Sequence, residues 1–460
     1  MIDWLIIGGG PQGIHMANRL LGEGVHPNMI TVLDPNTEPL ARWKHHTENT
    51  GMTHLRSPEY HNIGIDPYSL GRHVATYEFV AAVLEQRNET GSALESEFIP
   101  PYSRPSLRSF IHHAETIVEE TGLIRRWKSA RAISIKKIRN GYRIQTDARE
   151  RIEARNVVLA LGMGDQPNWP KWATQLRDQN RQAKVHHIFS SDFKRQQIDE
   201  NHDVAIVGAG ISAAQLALSL LEVNPNRQIT LLSRHFLRKE DFDSDPGWLG
   251  PTLLTGFHRE KDYGKRRAMI QEARNRGSLA AEVTQTLEKA ILRDKTISLE
   301  LAEIDSAESN VSRLELRIRP FELDEAQYQK TGELAFNFNT KAQRLDVDEV
   351  VLATGFEAKR PGGTLIDGAI RTMDLPTATD GFPIVDRHLR WREGLFVMGP
   401  LAELEVGPVS RNISGARMAA DRIIKSPELD KTVNDSNQRK RSPIARKSRR
   451  LAMDGLGRSV

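Results

Sequence analysis

Short apolar runs that end in glycine recur along the chain, and the first of them opens a complete strand–turn–helix–strand unit. Residues 3–7 are almost continuously apolar and lead directly into a glycine-rich turn at 8–13. Apolar residues then recur at helical spacing over 14–21, and a second apolar run at 29–33 ends in Asp34. Uninterrupted apolar runs of this length are typical of strands buried on both faces. The pattern predicts a βαβ unit with a parallel strand pair.

The same order of elements returns about two hundred residues later. An apolar run at 203–207 enters a second glycine turn at 208–213, followed by a helical pattern over 214–221 and a strand at 228–232. Here the second strand ends in Ser233 and Arg234 instead of an acid. The chain therefore contains two βαβ units with the same order of elements, which differ in the residues at the end of the second strand.

Three more apolar runs indicate how the chain is organised around these units. The runs at 156–162 and 349–355 each end in glycine, and a run at 394–400 precedes a predicted closing helix at 408–420. The sequence thus predicts an α/β fold with two Rossmann-like nucleotide-binding domains, the second inserted in the first. The predicted limits are 1–195 and 346–425 for the first domain, 196–345 for the insert and 426–460 for a basic disordered tail.

The residues of the two turns suit a bound pyrophosphate. In G-x-G-x-x-G/A the first glycine permits the tight turn, the second lets a phosphate approach the backbone, and the third lets helix and strand pack closely. The helix N–H groups and the positive end of the helix dipole then face the anion. Each turn lies between a predicted strand and a predicted helix, which distinguishes it from an ordinary glycine turn. The candidate cofactor-binding residues are Gly8, Gly10 and Gly13 in the first turn, and Gly208, Gly210, Ser212 and Ala213 in the second.

The residues after the second strand of each unit predict different cofactors. Asp34 can accept hydrogen bonds from both ribose hydroxyls, and its charge repels a 2′-phosphate, so it suits the adenosine half of FAD or NAD. Ser233 and Arg234 place a hydroxyl and a guanidinium where a 2′-phosphate lies, and arginine matches phosphate geometry bidentately. We therefore expect FAD in the first domain and NADPH in the second. A solvated surface arginine is the alternative interpretation of Arg234.

Composition removes several function classes. The 460 residues include no cysteine, which excludes disulfide frameworks, thiolate metal sites and thiol catalysis. Residues 431–460 hold nine Lys/Arg and two Asp, a net charge of +7, so a total of +4 leaves −3 on the rest of the chain. The basic excess is thus a property of the tail, and no other feature indicates nucleic-acid binding.

With mean hydropathy −0.49 and no apolar run near the ~18–20 residues of a membrane span, we expect a cytoplasmic protein.

Other kinds of site find little support. Histidine doublets occur at 45–46, 112–113 and 186–187, but adjacent side chains point in different directions, so no metal site is expected. A G-x-S-x-G elbow for Ser-His-Asp hydrolysis is absent. Arg56 could hold a pyrophosphate or a substrate carboxylate, and a structural ion pair explains it equally well. The sequence identifies no catalytic side chain.

The order of the motifs resembles a known superfamily. GGGPQG at 8–13, GAGISA at 208–213 and ATGF at 353–356 are similar to the motifs of the flavoproteins with two dinucleotide-binding domains. The absence of cysteine excludes the disulfide-reductase branch, which passes electrons through a thiol pair beside the flavin. The segment LRKEDFDSD at 237–245, together with Trp43 and MTHLRSP at 52–58, looks most like the NADPH-dependent class B flavin monooxygenases that N-hydroxylate lysine or ornithine.

The resemblance implies further site residues. Thr354 and Gly355 match the ATG marker at a strand end where the chain crosses between the domains. The stretch with Trp43 and Arg56 is similar to the one that borders the flavin, and Gly399 and Pro400 fall near the flavin ring. The fingerprint F-x-G-x-x-x-H of the Baeyer–Villiger and ordinary flavin-monooxygenase branches is not matched at 185–194, which disfavours those branches.

The implied activity is a monooxygenase reaction. NADPH reduces FAD, and one oxygen atom of O2 is transferred through a flavin C4a-hydroperoxide, expected to act on a nucleophilic nitrogen of a small amine or amino acid. Two alternatives remain. One is an NAD(P)H-dependent FAD oxidoreductase that passes electrons to a quinone or carrier protein, and the other is a non-catalytic dinucleotide-binding sensor. The expected partners are a small-molecule substrate and O2, with a homo-oligomer possible.

Overall fold

The computed structural model describes residues 1–76, 102–310, 313–320 and 344–441. Its strands, in chain order, are β1 Ile2–Ile7, β2 Ile30–Asp34, β3 Trp127–Ser129, β4 Ala132–Ile138, β5 Gly141–Thr146, β6 Arg151–Leu159, β7 Val185–His187, β8 Val204–Val207, β9 Ile229–Ser233, β10 Arg238–Lys239, β11 Ser278–Leu279, β12 Ile297–Ser309, β13 Leu314–Pro320, β14 Arg344–Val347, β15 Glu349–Leu352, β16 Arg390–Arg392 and β17 Leu395–Val397. Its helices are α1 Pro11–Gly22, α2 Ala41–Thr50, α3 Leu107–Glu120, α4 Lys171–Gln179, α5 Ile211–Val223, α6 Pro251–Arg259, α7 Tyr263–Ala273, α8 Ala281–Leu292, α9 Gly363–Met373, α10 Glu403–Val406, α11 Ile413–Ile423 and α12 Pro427–Arg441.

The first sheet is built on the N-terminal βαβ unit. Its strand order is β16-β17-β6-β1-β2-β3, in which β17, β6, β1, β2 and β3 run parallel, and β5 and β4 extend it as an antiparallel branch from β6. Ile7, the last residue of β1, pairs with Leu33 on one side and Leu159 on the other. The carboxyl ends of these strands therefore share one edge, where the first glycine turn and Asp34 lie.

The second sheet repeats this arrangement around the second glycine turn. Its order is β14-β13-β12-β9-β8-β15-β7, with a parallel centre from β12 to β7 and two antiparallel strands at one side. Val207 pairs with Leu232 and with Leu352, so the second turn and the strand end before Thr354 share an edge. The two sheets confirm the predicted α/β class with two Rossmann-like units.

Part of the inserted segment packs on the first domain. Trp248, Leu254, Phe257 and Ile270 are buried in the same apolar core as Trp4 and the rest of β1. Helices α6 and α7 therefore lie in the insert by sequence but pack with the first domain. The second sheet has its own apolar clusters, built on β8, β9, β15, α5 and α8.

The second sheet also extends past the limits predicted for the insert. Strands β7 and β15 both belong to it, although they lie outside 196–345. The parallel pairing of β15 with β8 joins the returning chain directly to the second βαβ unit. The domain limits given by the sequence remain a prediction, and the strand pairing favours a larger second unit.

Two predictions about the C-terminal part need correction. The closing helix predicted at 408–420 is a short 3₁₀ turn, Pro408–Arg411, followed by α11, because the extended backbone of Asn412 separates them. The predicted disordered tail at 426–460 begins with helix α12 over Pro427–Arg441. Tertiary contacts hold this polar helix: Trp4 Nε1 donates to Thr432 Oγ1 at 3.3 Å, and Arg390 pairs with Glu428 at 3.1 Å. Residues 442–460 of the tail lie outside the described residues.

Candidate active site

The first glycine turn has the geometry of an anion cradle. Gly8 has φ +113° and its hydrogen faces the carbonyl of Ala160, so a side chain at Gly8 would overlap that oxygen. A Cβ on Gly13 would overlap the carbonyl oxygen of Gly8, which shows how closely α1 approaches β1. At Gly10, which precedes α1, a Cβ would meet no atom within 4 Å. The open space at Gly10, in front of the helix N-terminus, fits a pyrophosphate.

Asp34 lies beside this cradle at the end of β2. Its Oδ2 accepts the backbone N–H of Gly9 at 2.7 Å, and its Oδ1 accepts the backbone and side-chain N–H groups of Asn36 at 2.9 and 2.7 Å. These bonds fix the carboxylate at the mouth of the turn, and Oδ2, which accepts one bond, keeps a further acceptor site. The indole of Trp127 contacts Gly9 and donates to the carbonyl of Asn36 at 2.8 Å. The placement is compatible with binding of a ribose.

The second glycine turn is similar but less open. Gly208 has φ +127°, and a Cβ there would lie 2.7 Å from the carbonyl oxygen of Ala353. Ala213 is buried where α5 packs on the sheet, and Ser212 lies beside it in the first turn of α5. A Cβ on Gly210 would lie 3.2 Å from Cα of Gly277. The backbone of Gly277 therefore borders the space in which a second pyrophosphate would lie.

Ser233 and Arg234 differ in how accessible they are. Ser233 is buried, and its Oγ donates to the carbonyl of His235 at 2.6 Å and accepts its N–H at 3.2 Å. The hydroxyl thus shapes the turn after β9. The side chain of Arg234 is 71% exposed, with Glu303 3.6 Å away. Of these two residues, Arg234 is the one whose side chain is free to reach a phosphate.

The structure places Arg56 in a bond network between the two domains. Its guanidinium donates to the carboxylate of Asp243 at 2.7 Å, to the carbonyls of residues 240, 241 and 242, and to Ser278 Oγ at 2.9 Å. Burial lowers the pKa of Arg56, and Asp243 partly compensates for it. Arg104 contacts the same loop at Asp241 and pairs with Glu282. Arg56 and Arg104 hold the loop at 240–243 against the first domain, which corresponds to the ion-pair interpretation of Arg56.

The remaining predicted residues lie at strand ends or in the first core. Trp43 packs on Phe110 with ring centroids 5.0 Å apart. Thr354 Oγ1 donates to the carbonyl of Asn168 at 2.5 Å and lies 3.2 Å from Nε2 of His187. Burial lowers the pKa of His187 to about 4. The Cβ position of Gly355 is open. Gly399 and Pro400 are buried in the 3₁₀ turn before α10.

A small cleft, with about 60 Å³ of space for water-sized molecules, brings three of these regions together. It is lined by Arg56 and the residues next to it (57, 58, 60 and 61), by 242–246 and 249, and by 409, 412 and 414. Both predicted domains thus contribute to one cavity. Burial, followed by the charge of Arg417, lowers the pKa of His61 to about 4, so this imidazole is neutral near pH 7. Asp243 and Asp245 supply negative charge, and the charge of Arg56 is paired.

A buried ionic cluster, which we call the Glu403 cluster, supports one side of this region. The fully buried carboxylate of Glu403 pairs with Arg267, with Arg274 at 2.9 Å and with Arg411 at 3.0 Å. Burial alone would raise the pKa of Glu403, but the three guanidinium groups outweigh it and hold the pKa below its ordinary value. The cluster joins α7 and residue 274 of the insert to the 403–411 segment of the first domain.

Several of these residues could not be recognised in the sequence. Arg104, Trp127 and the Glu403 cluster belong to no motif, and their partners lie between 8 and 178 positions away along the chain. Within the described residues no group of three His, Asp or Glu is placed to hold a metal ion. The helices of the described part of the chain include none that is long and apolar enough to cross a membrane.

Comparison with known proteins adds two family matches. The sequence model of a family described as L-lysine 6-monooxygenase/L-ornithine 5-monooxygenase matches residues 126–358, and one described as FAD-NAD(P)-binding matches residues 5–164. Among curated proteins, an uncharacterized oxidoreductase, CzcO, of Bacillus velezensis is 33% identical over 88 residues, and the CzcO of Bacillus subtilis is 34% identical over 88 residues. Each match covers 19% of this chain and 24% of the relative, so the chain matches about a quarter of the length of these curated relatives.

Solved structures show the same fold over nearly the whole chain. An ornithine N-hydroxylase of Kutzneria sp. 744 is 16% identical with a TM-score of 0.69, and the match covers 94% of this chain and 100% of that one. The L-lysine 6-monooxygenase of Pseudomonas syringae is 18% identical with a TM-score of 0.67, covering 94% and 100%. A cadaverine monooxygenase of Erwinia amylovora, determined with FAD bound, is 15% identical with a TM-score of 0.67, covering 93% and 94%.

Proposed function

The chain belongs to the L-lysine 6-monooxygenase/L-ornithine 5-monooxygenase family, a group of FAD- and NADPH-dependent oxidoreductases, and from this premise we propose that it is an N-hydroxylating flavin monooxygenase. It uses NADPH and O2 to transfer one oxygen atom to a nucleophilic nitrogen of a small amine or amino acid. The observation that carries the proposal is the cleft to which both domains contribute, with Arg56 and its neighbours on one side and 242–249 on the other.

A different observation supports each of the two cofactors. The open cradle at Gly10 and the carboxylate of Asp34 favour FAD in the first domain. In the second domain, the exposed guanidinium of Arg234 favours a 2′-phosphate and hence NADPH. When bound, FAD supplies a ring that accepts a hydride from the nicotinamide and reacts with dioxygen.

The side chains of this protein are expected to position groups and to exclude water. Arg56 and Arg104 fix the loop at 240–243, so the wall that the insert contributes keeps a constant distance from the first domain. Phe242, Pro246 and Leu249 give this wall an apolar surface. A fixed wall with apolar surface limits the access of water to a bound substrate.

The charge of the cleft supports a substrate that carries an ammonium group. The charge of Arg56 is balanced by Asp243, and His61 is neutral, so Asp245 leaves the lining with a net negative charge. A negative lining attracts a cation. Ornithine and lysine each carry an ammonium besides the reacting amine, and so does the diamine cadaverine. The reacting nitrogen itself must be unprotonated to act as a nucleophile.

Labelled dioxygen tests the proposal. The holoprotein is incubated with NADPH, isotopically labelled O2 and, separately, cadaverine, ornithine and lysine, and each product is analysed by mass. We expect one labelled oxygen atom in the product of at least one amine, and NADPH consumption that increases when that amine is added. Stoichiometric release of peroxide with every amine, and no labelled product, would contradict the proposal.

A further inference from the structure

Arg276 is an exposed arginine that belongs to none of the motifs recognised in the sequence. Within the described residues its guanidinium has no hydrogen-bond or ion-pair partner. The neighbouring Arg274, in contrast, pairs with Glu403 at 2.9 Å. The charge of Arg276 is therefore available to an anion, and its planar guanidinium suits a phosphate.

The backbone that carries Arg276 is held in place by hydrogen bonds. The N–H of Asn275 donates to the carbonyl of Asp243 at 2.8 Å, and its Nδ2 donates to the carbonyl of Phe242 at 3.0 Å. Ser278 Oγ donates to the carbonyl of Asn275 at 2.6 Å. Because the segment is already fixed, only the side chain of Arg276 must be ordered when a ligand binds.

This segment lies against the second glycine turn. A Cβ on Gly210 would lie 3.2 Å from Cα of Gly277, the residue that follows Arg276. A Cβ on Gly277 would in turn lie 2.8 Å from Nε2 of His235, two positions after the end of β9. Gly277 therefore lies between the start of α5 and the end of β9. A dinucleotide bound in this fold has its pyrophosphate at the first of these places and its adenosine ribose at the second.

Arg276 also has cationic neighbours. Arg238 Nη1 donates to the carbonyl of Arg276 at 3.4 Å, and no carboxylate of the described residues pairs with Arg238. Burial is the main cause that lowers the pKa of Arg274 to about 10, while Glu403 raises it and the charges of Arg411 and Arg276 lower it. Arg276 thus lies within electrostatic range of other guanidinium groups, and an anion bound here would reduce their repulsion.

We propose that Arg276 binds the pyrophosphate of NADPH, together with the N–H groups at the start of α5. The contact between Gly277 and Gly210 favours the pyrophosphate, whereas Arg234, at the end of β9, is the residue expected at the 2′-phosphate. The inference rests on the proposed function only in that a nicotinamide nucleotide must occupy the second domain. Arg276 is a cofactor-binding residue, and no catalytic role is assigned to it.

The first test removes the charge. Binding of NADP⁺ and of NAD⁺ to the FAD-loaded protein is titrated for Arg276→Gln and for the unaltered chain. Both nucleotides carry the pyrophosphate, so both dissociation constants are expected to rise together. The expected rise is about 10-fold, the lower end of the range for a charge-assisted hydrogen bond, because the guanidinium is exposed. Arg234→Ala should instead weaken NADP⁺ binding and leave NAD⁺ binding nearly unchanged.

Arg293→Gln is the matched control. Arg293 is also exposed, and its guanidinium has no partner within the described residues. It follows the last residue of α8, about 18 Å along the helix from the end nearest Gly277. The control variant is expected to bind both nucleotides as the unaltered chain does. Arg276→Lys, which keeps a positive charge, should bind both more tightly than Arg276→Gln.

Three results would overturn this inference and leave the proposed function standing. They are unchanged affinity of Arg276→Gln for both nucleotides, a loss confined to NADP⁺, which would assign Arg276 to the 2′-phosphate, and an equal loss in Arg293→Gln. An unaltered chain that binds neither NADP⁺ nor NAD⁺ would overturn the proposed function as well.

Discussion

The Glu403 cluster gives the sharpest prediction about stability. Glu403→Gln keeps the shape of the side chain and removes the charge that faces Arg267, Arg274 and Arg411. The variant amide retains one acceptor oxygen and turns an NH2 group toward guanidinium donors. Three arginines of like charge then remain close together around a fully buried position.

The size of the loss follows from burial. Removing one partner of a buried ion pair costs about 3–5 kcal/mol. The side chains of Arg267, Arg274 and Arg411 keep 16%, 12% and 27% of their surface exposed, so water relieves part of this cost. We therefore expect the free energy of unfolding to fall by about 2–3 kcal/mol. With a urea slope of about 3 kcal/mol per M, the midpoint of unfolding should fall by roughly 0.7–1 M.

Urea unfolding at neutral and acid pH measures the loss of stability in Glu403→Gln and how that loss changes with pH. Because the folded pKa of Glu403 lies below its ordinary value, the carboxylate stabilises the fold above the unfolded pKa, and this contribution is lost as the pH falls through the folded pKa. The difference in urea midpoint between Glu403→Gln and the unaltered chain should therefore become smaller at acid pH. Glu308→Gln is the control, since Glu308 and Arg317 form a surface pair, each 61% exposed, worth about 0.5 kcal/mol or less. Equal midpoints for the two variants would refute the reasoning.

Three further predictions concern the cofactor sites and pH. Gly10→Val should give colourless protein and leave the melting of the apoprotein unchanged, because a Cβ at Gly10 faces open space. Gly13→Ala should instead destabilise the apoprotein itself by about 1–3 kcal/mol, because its Cβ overlaps Gly8. The reverse pattern would contradict the geometry. Arg234→Ala should weaken NADPH binding by about 1.5–3 kcal/mol and hardly alter NADH binding, and equal losses in a binding titration would exclude a 2′-phosphate contact. Stability to urea should fall as the pH drops from 6.5 to 4, because over this range the unfolded chain protonates histidines that burial keeps neutral in the folded chain; a flat profile would contradict this prediction. These histidines have pKa values of about 3 (His15) and about 4 (His46, His61, His113 and His187).

The parts of the fold that the sequence predicts are those with a short-range signal. The glycines at 8–13 and 208–213 are recognised by their spacing within each turn, and the apolar runs before them are long enough to identify buried strands. Asp34 ends its strand beside the first turn because parallel strands share a carboxyl edge. Such features are recognisable within a stretch of about thirty residues and can therefore be inferred from one sequence.

The features that the sequence does not predict depend on distant partners. Arg56 contacts a loop about 185 positions away, and Gln12 contacts a carbonyl 398 positions away. Helix α12 has a polar composition that indicates disorder, and its order comes from contacts with Trp4 and Arg390. Tertiary packing overrides local composition in such cases. Helices α6 and α7 pack on the first domain for the same reason, since their apolar faces cover its core.

The most direct test of the account is a count of bound flavin followed by anaerobic reduction. The chain is reconstituted with FAD, freed of excess cofactor and titrated with NADPH in the absence of oxygen. We expect one FAD per chain, and we expect its yellow colour to bleach as NADPH is added. A chain that retains no flavin, or whose bound flavin stays oxidised in excess NADPH, would contradict the claim that FAD in the first domain is reduced by NADPH bound to the insert.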